Sequence, residues 1–212
     1  AFCEAADRLE GAEDFDMAVH DLIKEYATEH QRIVFNGNGY SDEWVAEAEK
    51  RGLPNIRSMV DAIPALTTDK AVKLFEEFHV FTRTELESRA EIKYEAYSKA
   101  VNIEALTMIG MAVKQILPAV IEYTGTLSVI IQSLKAVDVT PTVQTDLLRD
   151  IMALLTEANA AVRVLRKVTA EASGIQDNEE RAHYYHDHVM TAMDDLRRPI
   201  DKLEMLVDKE VW

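Results

Sequence analysis

The chain has 212 residues, 48% hydrophobic and 29% charged, which suits a soluble protein with a packed core and allows one large domain or two small ones. It carries 23 Lys and Arg against 38 Asp and Glu, a formal charge of −15. So acidic a surface repels nucleic-acid phosphates and anionic membranes, so neither is expected as a partner. Cys3 is the single cysteine, which excludes an intrachain disulfide and a thiolate metal cage and fits a cytoplasmic protein.

Few breakers are present, seven Gly and five Pro, while Ala, Leu, Glu, Lys and Met are plentiful. Long helices are therefore expected. The opening "AFCEAADRLEG" has no basic n-region and no cleavage pattern. It lacks an initiator Met and reads like the inside of a helix, as a fragment would. No unbroken run of 18 apolar residues is present, so no membrane span is expected.

Residues 1–10 and 14–31 read as helix, interrupted at Gly11. Asp14 caps the second piece, with Phe15, Val19, Leu22, Ile23 and Tyr26 as its apolar face. "FNGNGYSDEW" follows, with Asn36-Gly37 and Asn38-Gly39 side by side. Ser41 is an N-cap, and its helix should end at Gly52. "NIRSMVDAIPALTTDK" reads as irregular, held by Pro54 and Pro64. Thr68 caps a short helix to about residue 78.

Thr82-Arg83-Thr84-Glu85 is a capping-box pattern opening the longest periodic stretch, with Val101, Ala105, Met108, Ala112, Ile116, Val120, Leu127, Ile131 and Leu134 on one face. Helical from 83 to 136, it would span on the order of 80 Å. Pro118 should kink it. Thr140 as N-cap and Pro141 at N1 restart the chain. A heptad seam then runs through Leu147, Ile151, Leu154, Ala158, Ala161, Leu165 and Val168 to Gly174. The last helix starts at Asp177 or Asn178 and carries Tyr185, Val189, Met193, Leu196, Ile200, Leu203 and Val207, with a kink expected at Pro199. The fold class is all-α: an antiparallel bundle of long, Pro-kinked helices preceded by short helices and an Asn-Gly loop.

Chemistry is sparse. "NGNGYSDEW" matches neither phosphate-loop pattern, and Asp42 and Glu43 behind it would repel a phosphate. Asn-Gly is also the pair of a type I′ turn, but the flanks do not alternate as strands do, so a folded loop leading into the Ser41 cap is favoured. Glu76-x-x-His79 and Glu180-x-x-His183 have the spacing of di-iron half-motifs, and Glu104 and Glu122 could complete a set. His183, His186 and Asp187 are the candidate metal ligands in "EERAHYYHDH", weighed against a polar helix start with solvent-facing histidines, which the pattern favours. Glu104 interrupts an apolar run together with Asn102; if buried, it must be paired, by Arg89, Lys93 or Arg163. Met108, Met111, Met152, Met190, Met193 and Met205 fall at helical spacing and read as core. Cys3 has no basic neighbour, and no Ser lies on a nucleophile elbow. Catalytic, cofactor-binding and metal residues are each expected to be none.

"RIVFNGNGYSDEW" (Arg32–Trp44), "EAEKRGLPN" (Glu47–Asn55), "VNIEALTMIGMA" (Val101–Ala112), "QILPAVIEYTGTL" (Gln115–Leu127) and "AMDDLRRPIDKLE" (Ala192–Glu204) resemble the C-terminal part of type III glutamine synthetases. The resemblance covers essentially the whole chain. It departs at Ala90, where the family usually has an aromatic residue, and at His186, where it usually has Arg. The histidine cluster is thus peculiar to this sequence.

The resemblance implies a parent enzyme that ligates ammonia to glutamate with ATP and a divalent metal, Mg or Mn. The parent's catalytic residues lie upstream, so none is carried onto this chain, which alone should be inactive. Residues 1–60 would be the end of the catalytic domain and 61–212 the helical extension. Asn36–Tyr40 would be a surface loop near the active-site mouth. The family's chain runs on past Trp212 into a Trp-Pro-x-Pro tail. Partners would be the rest of the synthetase chain and homo-oligomer subunits. The alternatives are a free-standing helical interaction module and a di-iron carboxylate bundle.

Overall fold

A computed structural model describes residues 2–212; Ala1 lies outside them. Among the described residues every regular element is helical. The chain divides into two compact units, one reaching to Arg57 and the other Ser58–Trp212.

The first unit holds α1 (Phe2–Leu9), α2 (Phe15–Glu29) and α3 (Asp42–Lys50), with a 3-10 turn at Gln31–Ile33. Gly11 sits at φ +81°, which breaks α1 from α2. Asp14 caps α2 by accepting from the Met17 amide at 3.0 Å. Of the apolar face expected for α2, Leu22 is buried and Val19 and Tyr26 are half-buried, but Phe15 and Ile23 are exposed. Three short helices offer too little surface to cover a full apolar stripe.

The second unit begins with a correction. Residues 59–67 are helical, as α4 (Met59–Ala62) and a 3-10 turn (Ile63–Thr67). The Ser58 hydroxyl caps α4 by accepting from the Asp61 amide, and Val60 and Ile63 are buried against Ala90, Tyr94 and Ala182. Tertiary burial overrides a sequence that reads as loop. Thr68 caps α5 (Asp69–Glu77), and the capping box of Thr82 and Glu85 opens α6 (Arg83–Met111) with both reciprocal bonds formed.

α5 and α7 (Leu117–Ala136) both end in a residue with left-handed backbone that is not glycine. His79 has φ 55° and Asp138 φ 60°. In each case the two following amides turn back on the helix: His79 to Glu76 and Val80 to Phe75, Asp138 to Lys135 and Val139 to Leu134. This is a Schellman closure. It also corrects the restart after α7. Pro141 occupies the N-cap position of α8 (Thr142–Gly174), one residue later than expected, and no side chain caps it. Thr140 instead gives its carbonyl to the Thr142 amide.

Pro118 perturbs the long helix in a definite way. Between α6 and α7 lies a π turn, Ala112–Ile116, in which the Leu117 amide reaches back five residues to Ala112. Proline cannot donate to the carbonyl four residues earlier and its ring crowds that carbonyl. A widened turn accommodates both problems without ending the helix. Pro199 is fully buried inside α10 (Met190–Glu204), which continues through it. A second π turn, Tyr185–Val189, joins α9 (Asn178–Tyr184) to α10. Asp177 caps α9, accepting from the Glu180 amide at 2.8 Å.

Three rods result: α6–α7, α8 and α9–α10. Five- and three-residue connections make α8 antiparallel to its neighbours. Cross-links of Asn178 to Glu91 and Tyr185 to Asn102 show that α9–α10 runs parallel to α6. The expected seams close the core: Val101, Ala105, Val120, Leu127, Ile151, Ala158, Leu165, Val189, Leu196 and Leu203 are all buried in it. The Tyr185 hydroxyl donates to Asn102 Oδ1 at 3.1 Å and lies 3.3 Å from Ser173 Oγ, so one polar knot ties all three rods.

The outer side of α6–α7 differs. Ile103 (64% exposed), Leu106, Ile121 (57%) and Val129 (63%) leave apolar surface uncovered along α6–α7. By length and composition Arg83–Ala136 would be able to cross a membrane, and only 28% of its most apolar 18-residue window is buried. The methionines divide likewise. Met108 and Met193 pack against the core, but Met111, Met152, Met190 and Met205 are exposed. They were expected in the core. A three-rod bundle covers only part of each helix, which leaves Met111, Met152 and Met190 open to solvent, and Met205 lies past the end of α10.

Leu196 is fully buried at the centre of the seam. Leu196→Ala should lower stability by about 3 kcal/mol, because the cavity adds to the lost transfer energy. Urea unfolding should show a lower midpoint at unchanged slope.

Candidate functional site

The Asn-Gly segment is a built loop. Phe35 stacks on Trp44 with ring centroids 4.3 Å apart and planes tilted by 28°. Gly37 lies directly against the Phe35 ring; a Cβ there would stand 2.6 Å from Cζ. Asn38 Oδ1 accepts from the Tyr40 amide at 3.0 Å, and the Asn38 carbonyl accepts from the Ser41 amide and hydroxyl. The Ser41 hydroxyl in turn accepts from the Trp44 amide and caps α3. Neither Asn-Gly step has positive φ, so the type I′ turn is absent. Gly52, at φ +68°, ends α3 as expected.

Arg51 holds the loop from behind. Its Nη1 donates to the Val34 carbonyl at 2.8 Å, and its Nε donates to Glu47 Oε1 at 2.6 Å. The guanidinium also lies 5.8 Å from the centre of the Trp44 ring. Arg51 holds the Glu47 carboxyl below the usual carboxylate range. No local pattern marks this role, because Arg51 reads as an ordinary basic residue at a helix C-terminus. The amides of Ser41 and Trp44 are used within the loop, and Asp42 and Glu43 follow. The arrangement does not present amides to a phosphate. It presents Tyr40, fully exposed at its tip.

The histidines do not converge. His183 packs against Tyr94 at 6.5 Å between ring centres, His186 Nδ1 pairs with Asp187 Oδ1 at 2.7 Å, and His188 lies against Tyr184 at 4.4 Å. No group of three His, Cys, Asp or Glu able to hold a metal occurs among the described residues. Glu76 is committed to the Arg83 amide, and exposed His79 serves as the left-handed helix closure. Glu104 and Glu122 are exposed. A buried, paired Glu104 is therefore not found: residue 104 stands exposed beside the buried edge of α6. Arg89 lies instead over the Phe81 ring, 4.2 Å from its centre. Asn102, the other polar residue in that run, is the one the core uses, through Tyr185.

Glu104 borders an apolar groove of about 410 Å³ between α6 and α10, floored by Ile103, Met108, Met111 and Ile200. Neither helix shows this groove in sequence, because its walls come from different rods.

Gly37→Ala should force the loop off Phe35 and change Trp44 fluorescence, while circular dichroism keeps its helical signal. Burial, and after it the Glu179 carboxylate, pushes the Tyr94 phenol up to about 12. A raised phenol contributes stability that is complete below its unfolded value near 10 and is lost as pH rises towards the folded value. Wild type should therefore lose stability from about pH 10 upwards, and Tyr94→Phe should flatten that slope in alkaline unfolding curves.

Comparison with known proteins gives a consistent result. Residues 18–135 match the model of the glutamine synthetase C-terminal domain. The chain is 37% identical over 194 residues to a glutamine synthetase of Butyrivibrio fibrisolvens, covering 91% of this chain and 28% of that protein. It is 32% identical over 205 residues to the type-3 glutamine synthetase of Dictyostelium discoideum, covering 92% of this chain and 27% of the relative. A glutamine synthetase of Bacteroides fragilis is 28% identical over 203 residues, with 93% and 28% covered. The chain thus spans a little over a quarter of the length of these relatives, about 28% for the first. The chain belongs to the glutamine synthetase C-terminal domain family.

Proposed function

We propose that this chain is the C-terminal portion of a type III glutamine synthetase, a ligase that joins ammonia to glutamate with ATP and a divalent metal in the cytoplasm. In this reading the portion itself binds neither ATP nor metal. It packs against the rest of the synthetase chain and against neighbouring subunits, with no nucleic-acid or membrane partner. Residues 1–60 close the catalytic domain, with Asn36–Tyr40 near its mouth, and 61–212 form the helical extension.

The apolar stripe of α6–α7 is the observation that carries the assembly role. Ile103, Leu106, Ile121 and Val129 are exposed along one side of a helix whose opposite side is core. A large exposed apolar patch marks a surface that another protein covers. A charge of −15 keeps such a chain from anionic membranes, which favours a protein as the cover.

Three measurements test this. The chain supplied with glutamate, ammonia and ATP should form no glutamine; formation of glutamine would overturn the division of labour. Reading the coding sequence on both sides should reveal an open frame running upstream through a catalytic region; a start codon just before Ala1 would favour the free-standing interaction module instead. Ile121→Glu with Val129→Glu should leave helicity unchanged and shift the chain towards monomer in sedimentation.

A further inference from the structure

Two Asn-Gly steps, Asn36-Gly37 and Asn38-Gly39, stand side by side on an exposed loop. Asparagine before glycine is prone to cyclise, because a residue without Cβ lets its backbone nitrogen reach the preceding side chain. The attack needs a carboxamide free to rotate and an amide that is not already bonded.

The loop treats the two asparagines differently. The Asn38 carboxamide is held by the Tyr40 amide at 3.0 Å, and its main-chain carbonyl is held by the Ser41 amide at 3.1 Å and hydroxyl at 3.0 Å. Cyclisation at Asn38 must break these bonds. The Asn36 carboxamide and the Gly37 amide have no hydrogen-bond partner among the described residues, and both residues are exposed.

We propose that Asn36 is a deamidation site and that the fold of the loop selects it over Asn38. The Gly37 nitrogen bonds to Asn36 Cγ, the bond from Cγ to the side-chain nitrogen breaks, and the displaced amide leaves with the Gly37 proton as ammonia. Water then opens the five-membered imide. Attack at Cγ gives aspartate; attack at the main-chain carbonyl gives isoaspartate. No oxidant or reductant is involved.

Either product adds a negative charge. Isoaspartate also inserts a methylene into the main chain immediately before Gly37. That glycine has no room to move towards Phe35, since even a Cβ would stand 2.6 Å from the ring. The longer backbone must lift Gly37 away, which loosens the Phe35–Trp44 stack. Deamidation at Asn36 thus acts as a slow, one-way release of the loop.

The test incubates the intact folded chain and, separately, the free peptide Ile33–Lys50 at mildly alkaline pH and body temperature. Peptide mass spectrometry with fragmentation locates the gain of one mass unit at each asparagine over time. In the folded chain Asn36 should react roughly tenfold faster than Asn38, the factor that one retained hydrogen bond supplies. In the free peptide the two should react at similar rates. Asn36→Ser should remove the early product and the accompanying change in Trp44 fluorescence. Reaction first at Asn38, the same ratio in folded chain and peptide, or no reaction in the folded chain while the peptide reacts, would each overturn the proposal.

Discussion

The burial of α8 between two helices that run parallel to each other is the constraint on which the rest of the bundle depends. α8 presents Ile151, Ala158, Val162, Leu165, Thr169 and Ala172 as one continuous buried edge. Each neighbour supplies a matching edge at intervals of three and four, and the short connections leave no other order of packing. Hydrophobic burial is non-directional and would tolerate a shift of one heptad. The hydroxyl of buried Tyr185, placed between Asn102 and Ser173, opposes that freedom, because a shift would leave it without these partners.

Two of the three rods, α6–α7 and α9–α10, contain a π turn, and each solves a different problem of phase. At Ala112–Ile116 the wide turn relieves the crowding and the missing donor of Pro118. At Tyr185–Val189 it re-aims the buried side of the rod. Before the turn, Ala182 faces the small cluster of Val60, Ile63, Ala90 and Tyr94; after it, Val189, Ala192 and Leu196 face the main core. A regular helix drifts steadily around its axis and cannot serve two clusters set at different angles. His186 and His188 of this turn are engaged individually, by Asp187 and by the Tyr184 ring.

The two units differ in how they are held. The second unit has a seam of fully buried side chains, whereas the first unit leans on capping bonds, one aromatic stack and Arg51. Its exposed Phe2, Phe15, Ile23 and Tyr40 parallel the uncovered stripe on α6–α7. Both units therefore leave apolar surface exposed, on a chain that spans about 28% of the length of the Butyrivibrio fibrisolvens relative. The strong negative charge then keeps such surface from associating indiscriminately.

How much could be read from residues alone follows from the range of each interaction. The caps at Asp14, Ser41, Thr68, Thr82 and Asp177, the stops at Gly11 and Gly52, and all three heptad seams were legible, because they depend on residues within one or two turns of each other. The family was legible too, in runs such as "VNIEALTMIGMA". Helical periodicity shows that a helix has two sides but not how wide the covered side is. Hence Met111, Met152, Met190 and Met205 were misplaced into the core, Glu104 was misplaced as a candidate buried acid, and residues 59–67 were misread as loop. Only the tertiary structure assigned Arg51 to the loop, joined Asn102 to Tyr185, set His79 and Asp138 in left-handed backbone, and left the outer stripe of α6–α7 bare. Those outcomes were decided by which surfaces meet across tens of residues, and no local pattern encodes that.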